Sequence, residues 1–230
     1  MISKRIKQAR VAAGMTQDEV VAALAERGEL TLTKAGLSKY ECGGSTPKAT
    51  TLRALAQVFG VSAGFFLEES HFEVTWLAFR KAKTLGKAAE EQIKAIAASQ
   101  VEAFMTLSLA LEPGRVLSSP KRMIVRSTAD VERAAEFVRE HWRLGDQPID
   151  SVTRAIEDSG GIVLEMGGQE DLFDGLSGWA NRTIPVVVVS SCVSDDRRRF
   201  SLAHELGPVS YTHLRAHETK ANLVCRLLLE

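Results

Sequence analysis

The chain has 230 residues, of which 45% are hydrophobic and 25% are charged, and its 29 basic and 29 acidic side chains cancel. This length allows one or two domains with buried cores, and the composition excludes a wholly disordered chain. The apolar runs, including the one near residues 184–189, are far shorter than the roughly 20 residues of a membrane helix. The three cysteines, Cys42, Cys192 and Cys225, form no CxxC pair. We therefore expect a soluble, cytoplasmic protein with no membrane partner and no disulfide framework.

Positive charge is concentrated in residues 1–66, which hold nine basic and five acidic side chains, 9 − 5 = +4. The basic residues are Lys4, Arg5, Lys7, Arg10, Arg27, Lys34, Lys39, Lys48 and Arg53, and the acids are Asp18, Glu19, Glu26, Glu29 and Glu41. An excess of this kind indicates the part of a chain that is suited to phosphate contacts.

Residues 1–68 carry the capping signals of five short helices. Ser3 is expected to cap a first helix that ends near Gly14. Thr16 is expected to cap a second helix, because Glu19 three residues later completes a capping box. Two of the five helices are therefore predicted before residue 30.

The remaining three helices of this segment are bounded by similar signals. Thr33 is expected to cap a third helix that stops at Gly43–Gly44. A fourth helix is predicted over about residues 50–59 with Gly60 at its end, and Ser62 can start a fifth. The sequence thus predicts a mainly α, five-helix N-terminal domain.

A long connecting helix is predicted within a connector that covers residues 69–120. Residues 73–111 contain no proline and only one glycine. Ala97, Val101, Phe104, Ser108 and Leu111 are spaced 4, 3, 4 and 3 residues apart, which is the seam of a helix that packs on another helix. That seam either docks on its own chain or forms a homodimer.

Helix and strand signals alternate over residues 121–207, which predicts an α+β domain. Helices are expected over residues 129–144, 150–159 and 196–205, the second of them capped by Asp150 or Ser151. The β-branched runs at residues 162–164 and 184–190 predict strands.

The segments MTQDEVVAAL, LTKAGLSKYECGGSTP and TLRALAQVFGVS carry the most specific pattern of the N-terminal domain. Over about Ser3 to Leu67 the chain resembles the Xre/Cro-type helix-turn-helix domains of bacterial and phage repressors. The resemblance rests on Thr16-Gln17, on residues 37–41, on Gly43 and on Pro47. It implies a double-stranded DNA operator as the partner.

The resemblance also implies which residues face the DNA. Gln17 would approach a backbone phosphate from a helix N-terminus. The third helix would enter the major groove, with Lys34 donating to guanine, Ala35 against a thymine methyl group and Lys39 at a phosphate. The full set of DNA-facing positions is Gln17, Thr33, Lys34, Ala35, Ser38 and Lys39.

One spacing departs from the family pattern. Thr16 and Thr33 are 17 residues apart, 33 − 16, which is more than the compact form of the motif uses. The extra segment, around residues 26–31, lengthens either the second helix or the turn after it. A helical bundle that mediates only protein contacts is the alternative to a DNA-binding domain.

The second motif is RRRFSLAHELG at residues 197–207, in which His204 and Glu205 form half of an HExxH motif. This segment resembles the ImmA/IrrE-type metallopeptidases, as do LGDQPI at residues 144–149, GGIV at 160–163 and the expected loop DGLSG at 174–178. The resemblance implies a zincin-like domain with zinc held by His204, Glu205 as general base and a protein substrate such as a repressor.

The zincin-like pattern is incomplete in this chain. The position four residues after His204 is Pro208, which cannot bind a metal and is expected to stop the helix around Leu206. We therefore expect His204 to belong to an incomplete metal site, Glu205 to be vestigial, and the chain as written to use no cofactor.

Residues 208–230, PVSYTHLRAHETKANLVCRLLLE, do not resemble the family and are interpreted as a non-native tail. The alternative is a rewired metal site that joins His204 to His213 or His217, with Glu218 beside them. A truncated domain would also expose the apolar faces of residues 186–189 and Leu202.

The sequence therefore predicts a sequence-specific DNA-binding regulator with a catalytically incomplete metallopeptidase domain. The alternative function is a zinc-dependent endopeptidase, which is the activity of the intact family. Cys42 is expected to be an ordinary helix-end residue, and Trp76, Trp142 and Trp179 are expected to be core or interface anchors.

Overall fold

The structure is a computed structural model that describes residues 1–28, 30–69, 72–81, 84–112, 123–124, 127–145, 147–167, 173–191 and 194–212. The chain divides into two compact units, one formed by residues 1–71 and 86–99 and the other by residues 72–85 and 100–230. None of the described helices combines the length and apolar character that crossing a bilayer requires.

The first unit contains the five short helices that the sequence predicts. They are α1 (Ile2–Ala12), α2 (Gln17–Glu26), α3 (Lys34–Glu41), α4 (Ala49–Phe59) and the 3-10 helix η1 (Ala63–Phe66). Their apolar faces meet in one core whose fully buried members include Ile6, Val20, Leu24, Leu37, Leu55 and Phe66. The mainly α fold of this part of the chain is confirmed.

Most of the predicted helix caps are present. Thr16 and Glu19 form the capping box of α2, and the Thr33 hydroxyl accepts a hydrogen bond from the Gly36 N–H at 3.1 Å. Ser62 caps η1 in the same way through the Phe65 N–H at 3.2 Å. Gly60 ends α4 in the left-handed conformation, at a φ of 69°, which a residue with a side chain adopts less readily.

The predicted cap of the first helix is wrong. Helix α1 already begins at Ile2, so Ser3 lies inside the first turn, and Met1 occupies the cap position without a side-chain hydrogen bond. Ile2 packs against the core of the unit. This packing keeps the first turn helical without a side-chain cap, because tertiary contacts supply most of the stability of a short helix.

The long spacing between Thr16 and Thr33 is accommodated by the turn. Helix α2 ends at Glu26 and α3 begins at Lys34, so the extra residues lengthen the connection and leave α2 with ten residues. Gly28 turns the chain with a φ of 65°, and Leu32 packs against the core of the unit.

The predicted helical connector is only partly correct. Residues 74–81 form a strand, β1 (Val74–Lys81), and the long helix α5 covers Lys87–Leu111. Within the predicted seam Ala97 and Val101 are fully buried, whereas Phe104 is 37% exposed and Leu111 is 72% exposed. The buried stripe of α5 follows Ile93, Ala97, Val101 and Met105 instead, a spacing of four residues at each step.

The second unit mixes helices and strands, as the alternating signals predict, but it also includes residues 72–85 and 100–120 of the predicted connector. Its further elements are β2 (Met123–Ile124), α6 (Thr128–His141), α7 (Val152–Asp158), β3 (Ile162–Met166), β4 (Phe173–Ala180), β5 (Ile184–Ser190), α8 (Asp195–Ser210) and β6 (Tyr211–Thr212). Of the two predicted caps of α7, Ser151 is the one present: its hydroxyl accepts a hydrogen bond from the Arg154 N–H at 3.2 Å. A zincin-like identity is not established by these elements.

Four strands form one mixed sheet in the order β1-β4-β5-β3. Strand β4 runs antiparallel to both β1 and β5, and β3 runs parallel to β5. Residues 174–178, which we expected to form a loop, lie inside β4. At Gly178 an added Cβ would lie 2.5 Å from the Thr75 carbonyl oxygen, so this glycine allows two backbones to approach closely instead of forming a turn.

The expected exposure of the second domain's apolar faces is also wrong. Val186, Val187, Val188 and Val189 are fully buried in β5, and Leu202 is 2% exposed. Strand β5 lies between β4 and β3, and α8 packs against both β4 and β5. The core on this face includes Trp179, Leu206 and residues of α6 and α7, so helices of the domain cover this face of the sheet.

Helix α8 does not stop at Leu206 as predicted, but continues through position 208 to Ser210. The φ that proline imposes is itself helical, so the helix can pass through Pro208, although this residue supplies no N–H to the turn before it. Of the predicted tail, residues 208–212 form the end of α8 and β6, and residues 213–230 lie outside the described residues. The rewired site with His213, His217 and Glu218 therefore also lies outside them, as do Cys192 and Cys225.

Candidate nucleic-acid interface

Helix α3 presents a polar face to solvent and an apolar anchor to the core. Lys34, Ala35 and Lys39 are exposed, Ser38 is half-buried, and Leu37 is fully buried. Positions separated by three or four residues share one side of a helix, so Ala35, Ser38 and Lys39 form one surface. The buried leucine fixes which side of the eight-residue helix that surface occupies.

The two ends of this surface have different roles. Thr33 is exposed, but its hydroxyl oxygen already accepts the Gly36 N–H as the cap of α3. Cys42 is the exposed C-cap of the helix and has a free thiol, as expected for a helix-end residue.

Lys34 forms an ion pair that sequence reasoning missed. Its Nζ lies 2.6 Å from Oδ2 of Asp18, which stands in the first turn of α2. The side chains are 59% and 67% exposed, so the pair is in contact with solvent and adds little to stability. Lys34 is therefore presented at the surface in a defined position.

Gln17 is held by a buried network that the sequence also did not reveal. Its Nε2 donates to Oε2 of Glu41 at 2.9 Å, and Arg10 binds both oxygens of the same carboxylate, from Nε at 2.5 Å and from its second terminal nitrogen at 3.1 Å. Only 14% of the Arg10 side chain and 5% of the Glu41 side chain are exposed. Glu41 is the single acid in residues 30–66 and stands four residues after Leu37, and this was the signal for its role.

The N-terminus of α2, beside Gln17, is itself capped. The Thr16 N–H donates to Oε2 of Glu19 at 2.7 Å, and the Glu19 N–H donates back to the Thr16 hydroxyl at 3.2 Å. The backbone hydrogen bond from Thr16, followed by the one from its hydroxyl, holds the pKa of Glu19 below its ordinary value. This carboxylate is therefore engaged within its own turn.

Exposure separates the basic residues into two groups. Arg5 is 3% exposed and Arg10 is bound to Glu41, so neither adds to the charge of the surface. The guanidinium of Arg5 donates from Nε to the Glu68 carbonyl at 3.2 Å and lies 4.7 Å from the centre of the Phe65 ring. Within residues 1–28 and 30–66, the exposed cations are Lys4, Lys7, Arg27, Lys34, Lys39, Lys48 and Arg53.

Comparison with known proteins agrees with this geometry. Residues 6–66 match the family model described as Helix-turn-helix. Residues 6–66 form a helix-turn-helix domain. The chain is also 32% identical, over 71 residues, to the SPbeta prophage-derived uncharacterized HTH-type transcriptional regulator YonR of Bacillus subtilis (strain 168). That match covers 31% of this chain and 60% of the relative, so the chain spans about three-fifths of the relative's length.

No solved structure matches the chain. The helix-turn-helix domain therefore rests on the family model, the prophage relative and the agreement of its five helices with the sequence pattern.

Outside the helix-turn-helix domain, Glu205 of α8 is a buried acid. It is 2% exposed, and its Oε2 accepts a hydrogen bond of 2.7 Å from the Ser177 hydroxyl on β4. Gly175 makes room for it, because a Cβ at that position would lie 2.7 Å from Glu205 Cγ. Burial raises the pKa of Glu205, and the hydrogen bond from Ser177 opposes this shift.

Two charged groups near Glu205 act on its pKa more weakly. Arg80 lowers it and Asp174 raises it. Asp174 is itself bound by Arg80, whose Nε lies 3.3 Å away, and by a terminal nitrogen of Arg197 at 2.6 Å. These ion pairs tie β1, β4 and α8 together beside the buried acid.

The described residues do not fit the zinc site that the resemblance implied. His204 is half-buried on α8 with its ring 6.2 Å from that of Phe200, and Glu205 is directed to Ser177. Pro208, one turn further, offers no side-chain donor. Within the described parts of the chain, no three His, Cys, Asp or Glu side chains are grouped so that they could hold a metal ion.

Proposed function

We propose that this chain is a sequence-specific DNA-binding transcriptional regulator of the bacterial or phage type, which recognises double-stranded operator DNA through α3. The observation that carries the proposal is the exposed polar face of α3, anchored by the buried Leu37, in a domain that matches the helix-turn-helix family. The prophage relative, which is named a transcriptional regulator, supports it.

Base recognition in this proposal belongs to one side of α3. Lys34 donates to the acceptors of guanine, Ala35 packs against a thymine methyl group, and Ser38 bonds to a neighbouring base edge. An α-helix of this width fits the major groove of B-DNA, where all four base pairs present different groups. Thr33 lies at the entry of the helix and keeps its first turn in place.

Backbone contacts in this proposal come from Gln17 and the exposed cations. The hydrogen bond to Glu41 uses one of the two amide hydrogens of Gln17, so the other can donate to a phosphate. Lys39 contacts phosphate from the end of the recognition surface. These contacts fix the register of the domain on the duplex and make binding sensitive to salt.

We also propose a second copy of the chain as a partner on the operator, because helix-turn-helix proteins bind paired half-sites as dimers. The exposed end of α5 supports this part of the proposal, since Phe104, Leu107 and Leu111 leave apolar surface in contact with water. Sedimentation of the chain with duplexes that hold one or two half-sites tests it: two chains on the paired site are expected, and one chain on each duplex contradicts it.

The second unit is proposed to be catalytically incomplete. This part of the proposal is supported by Pro208, where a second imidazole would be needed, and by the hydrogen bond that directs Glu205 to Ser177. The alternative, a zinc-dependent endopeptidase, predicts about one zinc per chain after removal with EDTA and repletion, measured by atomic emission. We expect much less than one.

A gel-shift experiment tests the DNA-binding proposal. A site is selected from random duplexes with the wild-type chain, and Lys34→Glu is expected to abolish binding to that site at moderate salt. Lys87→Glu makes the same change of charge at the exposed first residue of α5 and serves as the matched control. Unchanged affinity of Lys34→Glu for the selected site would overturn the assignment.

A further inference from the structure

Asp18 and Lys34 meet where the first turn of α2 faces the first turn of α3. The distance from Nζ to Oδ2 is 2.6 Å, and 16 residues separate the two along the chain. Asp18 follows Gln17, the first residue of α2, and Lys34 is the first residue of α3. The pair therefore joins the proposed phosphate-binding end of one helix to the proposed base-reading end of the next.

The electrostatics of the two helix ends explain why the pair forms. The N-terminus of a helix carries partial positive charge, which favours Asp18 in α2 and disfavours Lys34 in α3. The neighbouring acid Glu19 is bound to Thr16. Among the described residues, Asp18 supplies the carboxylate that offsets the unfavourable position of Lys34.

We propose that Asp18 is a positioning residue that determines the specificity of DNA binding by controlling Lys34. This inference rests on the proposed function. In the free protein Asp18 holds the Lys34 ammonium, and its own charge repels nearby phosphates. A lysine without this partner binds any phosphate within its reach, because its ammonium is a flexible point charge.

The consequence differs between DNA sequences. On a non-cognate duplex, Lys34 remains with Asp18 and contributes nothing to binding. On the cognate site, guanine acceptors in the groove replace the carboxylate and satisfy the ammonium. Asp18 therefore weakens non-cognate binding more than cognate binding, which raises the ratio of the two affinities.

A double-mutant cycle tests this inference. Wild type, Asp18→Asn, Lys34→Ala and the double variant are titrated by fluorescence anisotropy against the selected duplex and against a scrambled duplex of equal length and composition. Asp18→Asn is expected to lower the ratio of selected to scrambled affinity roughly three-fold, the size that an exposed ion pair allows. In the Lys34→Ala background, the same substitution is expected to change both affinities by the same factor.

Two further variants separate positioning from charge alone. Glu26→Gln removes an exposed acid from the other end of α2 and is expected to leave the affinity ratio unchanged. Asp18→Glu keeps the carboxylate and is expected to retain most of the wild-type ratio of selected to scrambled affinity. Circular dichroism melting of each variant checks that the fold is retained, as expected for exposed positions.

The inference is overturned if Asp18→Asn leaves the ratio unchanged, or if the ratio falls equally in the presence and absence of the Lys34 side chain. These outcomes differ from failure of the proposed function. If the wild-type chain binds neither duplex, the DNA-binding proposal itself is wrong, and the first titration of the series shows it.

Discussion

Gln17 donates a hydrogen bond to Glu41 across 24 residues of chain, with 2.9 Å between Nε2 and Oε2. The same carboxylate holds Arg10, so one acid joins α1, α2 and the end of α3. Glu41 has no place in the predicted DNA surface, but it orients the side chain that the proposal assigns to a phosphate. The position of Gln17 therefore depends on a residue of the next helix.

Replacement of Glu41 by alanine is expected to destabilise the helix-turn-helix domain by about 3 kcal/mol, because it leaves the buried Arg10 without its carboxylate. Hydrogen exchange of peptides from residues 1–66, measured by mass spectrometry on the full chain, reports this loss. Lys34→Ala removes one partner of the exposed pair and is expected to cost no more than about 1 kcal/mol. Equal effects of the two substitutions contradict the prediction.

Substitution of Arg5 by lysine is expected to destabilise the same domain by about 1–2 kcal/mol. Lysine keeps the charge, but it lacks the Nε that donates to the Glu68 carbonyl and the planar group over Phe65. The exposed neighbour Lys4 is the control, and Lys4→Ala is expected to change stability by less than about 0.5 kcal/mol. The same hydrogen-exchange measurement applies, and faster exchange in Lys4→Ala than in Arg5→Lys contradicts the prediction.

A methyl group at Gly175 is expected to destabilise the second unit by about 1–3 kcal/mol, because its Cβ would overlap Glu205 Cγ at 2.7 Å. All three tryptophans belong to this unit, so their fluorescence during urea unfolding reports on it selectively. Glu157→Ala, at an exposed position of α7 in the same unit, is the control and is expected to change stability by less than about 0.5 kcal/mol. If Gly175→Ala is as stable as the wild type, β4 and α8 pack less closely than the 2.7 Å distance implies.

The stability of the second unit is expected to fall as the pH rises above the ordinary pKa of a carboxyl group. Burial raises the pKa of Glu205 in the folded state, so over an interval of pH the folded chain keeps a proton that the unfolded chain has released. This contribution to stability is complete below the unfolded pKa and is lost as the pH passes through the folded pKa.

Glu205→Gln tests this pH dependence, because the amide can still accept the Ser177 hydrogen bond and cannot ionise. The unfolding midpoint in urea, followed by tryptophan fluorescence, is expected to depend less on pH in this variant than in the wild type. Glu157→Gln, at an exposed position of α7, is expected to retain the wild-type dependence. If the unfolding midpoint depends more steeply on pH in Glu205→Gln than in the wild type, the assigned direction of the Glu205 pKa shift is contradicted.

Helices and strands that are marked by residues close to them in the sequence were predicted well. Thr16 with Glu19, Thr33 and Gly60 mark helix ends by interactions that reach no more than four residues along the chain, and each acts in the structure as expected. The apolar runs at β3 and β5 were equally clear, because β-branched residues are enriched in strands. Signals of this kind can be read without knowing the fold.

Strands β1 and β4 were missed because each is stabilised by pairing with the other, and the two are far apart in the sequence. Residues 74–81 pair with residues 173–180 across about half of the chain, and the glycines of β4 imitate a loop. Gly178 is there because Thr75 is close, and Gly175 because Glu205 is close. Neither reason is visible in a local window.

The sequence by itself determined the helix-turn-helix pattern, the alternating order of the second domain and the presence of proline, not histidine, at position 208. The tertiary structure decided which charges reach solvent: Arg5 and Arg10 count as basic in any composition, yet burial and internal partners remove them from the surface. It also decided that Asp18 faces Lys34 and that Gln17 faces Glu41. The physical reason is that capping and periodicity are local, whereas burial and ion pairing depend on residues that only the folded chain brings together.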